Sequence, residues 1–330
     1  MKERKKIDLG RRQRLVVGSA ESMPELKRER IDVAVTSPPY NVGKNYASPG
    51  HGRYDDRLTQ GEYLALMGRV FHQVFRVLKE DGLFFLNLGE SVRTPGLVEK
   101  VVVAAEGEGF LRVQTLAWVK SIFGKGHYTP SGRERRLNNL WEYIFILAKG
   151  RGYRFDPLAI GVPYTDKSNV GRYAERDLRD PGNVWFIPYR ETTGHTIKKG
   201  HDAVFPVELP WRCIKLVPEA KYVLDPFAGT CTTLAAAAHL GLRGIGYEPH
   251  PPMKVIERRL AAPFEPAAPI VLPWLERGAE DLFHLLAALQ GRGLQEEVGA
   301  ALAHLPRRRR ERLLDLAAEH GFDFEAGRRG

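Results

Sequence analysis

Residues 37–40 read Ser-Pro-Pro-Tyr and close an apolar run, Val33-Ala34-Val35-Thr36. Proline has no backbone N–H to donate and holds φ near one value. Ser37, Pro38, Pro39 and Tyr40 therefore form a stiff turn whose acceptors point in fixed directions. Rigid acceptors beside an aromatic ring suit a flat partner that carries an amino group. The Ser37 hydroxyl and the Pro38 carbonyl can each accept one hydrogen of such a group, which localises and orients its lone pair. Tyr40 can stack on the ring that bears it. Taken alone, the same four residues also suit an ordinary strand-ending turn.

A second stretch, KYVLDPFAGTCTTLAAAAHLGLRGIGYEPH at 221–250, reads as strand, loop, helix and strand. Its first strand ends at Asp225, the turn PFAGTCTT opens a helix over 233–240, and the second strand ends at Glu248. A carboxylate at the end of that second strand is where a ribose diol is held in βαβ cofactor sites. The dinucleotide fingerprint G-x-G-x-x-G is absent, because Gly229 stands alone in the first turn. Asp225 at the mouth would repel a pyrophosphate. A negative mouth suits a cation, and S-adenosylmethionine carries an ammonium and a sulfonium with no phosphate.

These motifs need a sheet to carry them. IDVAVT (31–36), LFFLNLG (83–89), LRVQTLAWV (111–119) and WEYIFILAK (141–149) read as strands. Leu64, Met67, Val70, Phe71, Val74, Phe75 and Leu78 recur at helical spacing across 61–78, with KEDG as the stop, and a further helix spans about 96–107. Strands alternating with helices predict an α/β sheet covered on both faces. VELPWRCIKLV (207–217) reads as a short helix. Residues 151–200, rich in Gly, Pro, Asp and Arg, break the pattern and read as an irregular insertion.

The 330 residues carry 50 basic and 40 acidic side chains, a net charge of +10 that favours a polyanionic partner. No apolar run is long enough to span a membrane, and the basic N-terminus has no apolar stretch behind it to make a secretory signal. Cys213 and Cys231 are the two cysteines, so neither a disulfide framework nor a cysteine-rich metal site is implied. The expected compartment is the cytoplasm. No metal site is expected, since His127 and His195 lack partners at ligand spacing. His51, between Gly50 and Gly52, lies in a loop that either closes over a substrate or is plain surface.

Together the two stretches resemble the amino-directed DNA methyltransferases of restriction–modification systems. DPFAGTCTT is similar to their cofactor motif DPF-x-G-x-G-T-T, and TSPPY to their catalytic (S/N/D)PP(Y/F) motif. The catalytic motif comes first, which is the permuted β-class order. RVLKEDGLFFLNLG (76–89), RLNNLWEYIFILAKG (136–150) and HDAVFPVELPWRCIKL (201–216) resemble further family segments, so that the resemblance covers about 30–260. It implies a Rossmann-like methyltransferase fold with a mostly parallel doubly wound sheet. It implies a catalytic half over 1–150, a target-recognition insertion over 151–200, a cofactor half over 201–261 and a helical C-terminal extension over 262–330. S-adenosyl-L-methionine would be held by Asp225, Phe227, Gly229, Thr230, Thr232 and Glu248, with Phe205 and Glu208 from the preceding segment. The partner would be double-stranded DNA with the target base flipped out; a homodimer stays open.

Cys231 stands where the family motif has its second glycine, and Asp202 where a proline is frequent. A serine at the first catalytic position points to cytosine N4, with adenine N6 as the alternative. Methylation at cytosine C5 would need a thiolate in a Pro-Cys step, which neither cysteine provides. An RNA or protein-glutamine methyltransferase, or a nucleic-acid-binding protein with a degenerate pocket, are the rivals. The basic balance disfavours a protein substrate, and intact Ser37, Asp225, Gly229 and Glu248 disfavour a degenerate pocket. The run RRRRER (307–312) reads as a solvated helix face.

Overall fold

The computed structural model describes residues 4–41, 57–91, 93–120, 137, 139–164, 167–187, 205–266 and 311. Nine strands form one sheet: β1 (Lys6–Asp8), β2 (Gln13–Val16), β3 (Ile31–Thr36), β4 (Leu78–Leu88), β5 (Leu111–Val119), β6 (Trp141–Ala148), β7 (Val184–Phe186), β8 (Tyr222–Asp225) and β9 (Arg243–Tyr247). Their order across the sheet is β1-β2-β9-β8-β3-β4-β6-β5-β7. Only β1 and β6 run against the rest. Among the described residues five helices cover it: α1 (Gln60–Val77), α2 (Leu97–Gly107), α3 (Glu208–Lys215), α4 (Thr232–His239) and α5 (Met253–Ala261).

Every residue of β3 is buried, as a parallel strand covered on both faces requires. Its side chains alternate. Ala34 joins Phe84 and Leu86 against α1 and α2, through Met67, Val70, Phe71, Val98 and Val101. Val33 and Val35 join Leu83 and Phe85 on the opposite face, against Leu209, Cys213 and Ile214 of α3 and Ala236 and Ala237 of α4. The doubly wound α/β expectation therefore holds. Helix α1 begins at a capping box: the Thr59 hydroxyl accepts from Glu62 N, while the Glu62 carboxylate accepts from Thr59 N.

Two expectations are corrected, and one stretch left unassigned by the sequence gains an element. KEDG does not separate helix from strand, because β4 starts at Leu78, directly after α1. Ile31 pairs with Leu78 and Val33 with Leu83, so residues 79–82 form a bulge. Its purpose is visible at Asp32, which is buried and accepts from Lys79 Nζ (2.6 Å), Arg154 (3.1 Å) and the backbone N–H groups of Lys221 and Tyr222. Burial opposes the charge on Asp32, but these donors outweigh it and hold its pKa below the usual value. The unassigned stretch, the basic N-terminus, folds into the β1–β2 hairpin, and β2 pairs with β9. The second correction is that residues 151–187 are not set apart from the sheet. β7 extends it beside β5, Ile160, Trp185 and Ile187 enter the core, and Trp118 Nε1 donates to the Ile187 carbonyl at 2.9 Å. The rest of the proposed insertion, the loop around His51, His127, His195, Asp202 and all but Glu311 of RRRRER lie outside the described residues, as does the C-terminal extension beyond 266 apart from residue 311. No described helix is long and apolar enough to cross a membrane.

The sheet order reverses between β8 and β3. From β8 the chain runs outward to β9, and from β3 it runs outward the other way to β4. Open α/β sheets take ligands in the crevice outside the carboxyl ends of the strands at such a point, which here lies between β8 and β3.

Candidate active site

Strands β3 and β8 are paired, Val33 with Val223 and Ala34 with Leu224. That pairing sets Ser37-Pro38-Pro39-Tyr40 and the Asp225 loop side by side at the crevice. A buried hydrogen bond ties them: the Thr36 hydroxyl donates to Asp225 Oδ1 at 2.6 Å, across 189 residues of sequence. Phe227 N donates to the same oxygen at 3.0 Å. Asp225 is 2% exposed, so it does not line the mouth as an open charge; it braces the two loops from beneath. Burial pushes its pKa up to about 6, against the pull of Thr36, Thr233 and Phe227 N.

In the turn, Pro38 is buried and Ser37, Pro39 and Tyr40 are half-buried. Tyr63 of α1 donates its hydroxyl to the Pro39 carbonyl at 2.7 Å. Asn41 holds both the N–H and the carbonyl of Leu58 through its side-chain amide, which pins the far end of the loop to the start of α1. The Tyr40 hydroxyl lies 3.0 Å from Ser37 Oγ, 2.9 Å from Glu142 Oε2 and 3.4 Å from Asn87 Oδ1. Lys120 Nζ reaches the other Glu142 oxygen at 2.8 Å. Gly89 makes the arrangement possible, since a Cβ there would sit 2.9 Å from Tyr40 Cε2 and 3.0 Å from Glu142 Oε1.

On the cofactor side, Gly229 takes φ 49° and its N–H donates to Glu248 Oε2 at 3.1 Å. His250 N donates to Glu248 Oε1 at 2.8 Å. Burial raises the Glu248 pKa, with those two donors opposing. Phe227 is half-buried and packs on the same cluster as Tyr40. Thr230 and Thr232 are buried, and Thr232 accepts from Arg259 of α5 at 2.5 Å. Cys231 precedes α4 with φ 60°, the left-handed conformation that favours glycine. Its thiol is buried beside Leu15, Leu234 and Ile256, so the departure from the family motif fills core space. Phe205 and Glu208, expected near the cofactor, are buried. Phe205 packs with Trp185 and Leu209, and Glu208 is buried in an ion pair with Arg212 one turn on.

The crevice fits S-adenosyl-L-methionine in its chemistry. Beyond its chain neighbours, a Cβ built on Gly229 meets nothing closer than the Phe227 carbonyl at 3.9 Å, so the loop is open above that residue. Glu248 brings a carboxylate to the end of β9, which suits a ligand with a diol. Sequence reasoning assigned no role to Thr36, Tyr63, Asn87, Lys120 or Glu142. Glu142 stood inside a quoted family segment, but its meeting with Tyr40 depends on the register of β4, β6 and β5, which no local motif reveals.

The chain matches the N6_N4_Mtase family of DNA methylases over residues 31–255. It is 28% identical over 293 residues to the Type II methyltransferase M.MjaI of Methanocaldococcus jannaschii, covering 77% of this chain and 93% of that one. With M.SmaI of Serratia marcescens the identity is 28% over 265 residues, covering 71% and 86%. TTHA0409 of Thermus thermophilus, solved with S-adenosyl-L-methionine, aligns at TM-score 0.50 and 26% identity over 76% of this chain and 94% of that one. The cytosine-N4-specific PvuII DNA methyltransferase aligns at TM-score 0.57 and 20% identity over 76% and 87%, a likeness of fold alone. The family uses S-adenosyl-L-methionine. The family match takes in β3, the Ser37–Tyr40 turn and the whole β8–α4–β9 unit, and this chain belongs to the N6_N4_Mtase DNA methylases, enzymes of the restriction–modification type that methylate cytosine N4 or adenine N6.

Proposed function

We propose that this enzyme methylates the N4 amino group of cytosine in duplex DNA, with the target base flipped into the crevice, and that its motif order makes it a β-class member. The buried Thr36–Asp225 bond carries the reading, because it joins the amine-binding turn to the cofactor loop in one crevice. When bound, the cofactor supplies an electrophilic methyl group on sulfur. Gly229 and Glu248 hold it, with Asp225 bracing the loop and Phe227, Thr230 and Thr232 shaping the wall. The Ser37 hydroxyl and the Pro38 carbonyl accept the two amino hydrogens; among the described residues no donor reaches that carbonyl. The amine nitrogen is thereby pyramidalised towards the cofactor side. Tyr40 presents a ring for the base to stack on. No strong base is needed, because the proton can leave once the methyl has been transferred.

Serine at position 37 favours cytosine over adenine. The test is methylation of unmodified duplex DNA with labelled cofactor, followed by mass spectrometry of the nucleosides. N4-methylcytosine is the expected product, and N6-methyladenine would overturn the choice of base. Ser37→Ala should lower kcat by one to two orders of magnitude while leaving cofactor affinity within about twofold, since the lost contact tightens as the amine pyramidalises. A wild-type rate would reduce the turn to a structural role.

A further inference from the structure

The methyl-acceptor reading needs Ser37 to accept a hydrogen bond from the amine, yet a hydroxyl can equally donate. Something must decide which way its proton points. The surroundings of the Tyr40 hydroxyl supply the answer. Glu142 Oε2 lies 2.9 Å away and can only accept while ionised. Its charge is matched by Lys120 Nζ at 2.8 Å, with both side chains about nine-tenths buried, 11% and 12% exposed. The second neighbour, Asn87 Oδ1, is also an acceptor, because the Asn87 amide nitrogen is committed to the Tyr143 carbonyl at 3.0 Å. Tyr40 has one proton, and the closer, charged acceptor takes it. The remaining neighbour, Ser37 Oγ at 3.0 Å, must then donate to the Tyr40 oxygen.

We infer that the Lys120–Glu142 ion pair is a positioning device that fixes the direction of a hydroxyl chain: Ser37 donates to Tyr40, Tyr40 donates to Glu142, and the lone pairs of Ser37 are left facing the amine. This rests on the methyl-acceptor reading and deepens it. Glu142 touches neither base nor cofactor. It acts through two hydroxyls, and Tyr40 acquires a second task besides stacking. Lys120 secures the arrangement by occupying the oxygen that Tyr40 does not use. Gly89 belongs to the same device, since any side chain there would push Tyr40 and Glu142 apart.

Glu142→Gln tests the chain with little change of shape. Its amide nitrogen is repelled by the Lys120 ammonium and turns to Tyr40, to which it donates. The Tyr40 proton must then point elsewhere, and the Ser37 acceptor faces a competing donor. The expected result is a kcat lowered about tenfold or more, with KM for duplex DNA and calorimetric affinity for S-adenosyl-L-methionine within about twofold. Tyr40→Phe keeps the ring and deletes the relay. The double variant Tyr40→Phe/Glu142→Gln should be no slower than Tyr40→Phe, because the two residues act in series. Ser37→Ala is measured alongside. An impaired Ser37→Ala with Glu142→Gln at the wild-type kcat overturns the hydroxyl chain alone. Multiplying effects in the double variant, or loss of cofactor affinity in Glu142→Gln, make Glu142 a structural residue and overturn it as well. A wild-type rate in Ser37→Ala overturns the methyl-acceptor reading and this inference with it.

Discussion

At the scale of single residues, Asp225 carries a conflict that can be measured. It is buried, and its pKa is raised to about 6 in the folded protein from an ordinary value of 3.8. A carboxyl with a raised folded-state pKa binds its proton more tightly folded than unfolded. Stability therefore falls as pH rises through the window from about 4 to about 6, and the cost is fully present above it. Asp225→Asn keeps an oxygen to accept from Thr36 and from Phe227 N, and it removes the charge. The variant without cofactor should be more stable than the parent at pH 8, by on the order of 2 kcal/mol, and should lose that advantage at pH 4. Thermal melts at the two pH values check this. The same variant should bind cofactor more weakly if the buried charge answers the cofactor's cation. Glu248→Ala should weaken cofactor binding by about 1–3 kcal/mol, read by calorimetry. Unchanged affinity there would detach the β9 carboxylate from the ribose.

Elements show where sequence was a sufficient guide. The helical spacing from Leu64 to Leu78 and the unbroken apolar run of β3 gave α1 and β3 to within one or two residues. Both are long or fully buried, so periodicity has room to act. β1, β2 and β7 have three or four residues each, with charged side chains in the first two, and their pairing with distant strands makes them strands. KEDG has the composition of a turn, yet Lys79 and Asp81 serve Asp32 and Arg154 from within a strand bulge. The candidate site divides in the same way. Ser37, Tyr40, Asp225 and Glu248 could be named from local motifs, whereas Glu142 and Lys120 meet Tyr40 only through the register of three strands. The Asp32 hub belongs to this scale, because it ties the bulge, the 151–187 segment and the start of β8. Asp32→Asn would leave Lys79 and Arg154 without their shared charge and should destabilise the fold by about 3 kcal/mol, the lower end for a buried pair because both partners are partly exposed. Because the Asp32 pKa is lowered, its contribution is present above the unfolded value and is lost as pH falls through the folded one. Urea denaturation at pH 7 and at pH 3 should show the variant's deficit shrinking at the lower pH.

For the whole molecule the net charge of +10 acquires a purpose once the partner is DNA. Phosphate contacts release counterions, so binding should weaken steeply with salt. Six such contacts correspond to about a thousandfold loss of affinity between 50 and 200 mM salt. Titrations of duplex DNA by fluorescence anisotropy across that range give the slope. A flat response would point away from a polyanionic substrate. The Ser37–Tyr40 turn, the loop after Asp225 and the Tyr40–Glu142 contact all gather at the carboxyl edge of one sheet, while the Asp32 hub closes the opposite edge. A destabilising change at the hub can therefore be separated from a change in methyl transfer by comparing melts with single-turnover rates.

The sheet order has a consequence for how the chain is made. β2 and β3 follow one another in sequence, yet β9 and β8 lie between them in the sheet. While the ribosome is still upstream of residue 222, the nascent chain holds two unsatisfied strand borders, on β2 and on β3, waiting for segments not yet synthesised. Such borders are templates for pairing with other chains. A fragment stopped at Lys221 should accumulate as aggregate, and adding residues 222–247 should restore solubility by filling both borders at once.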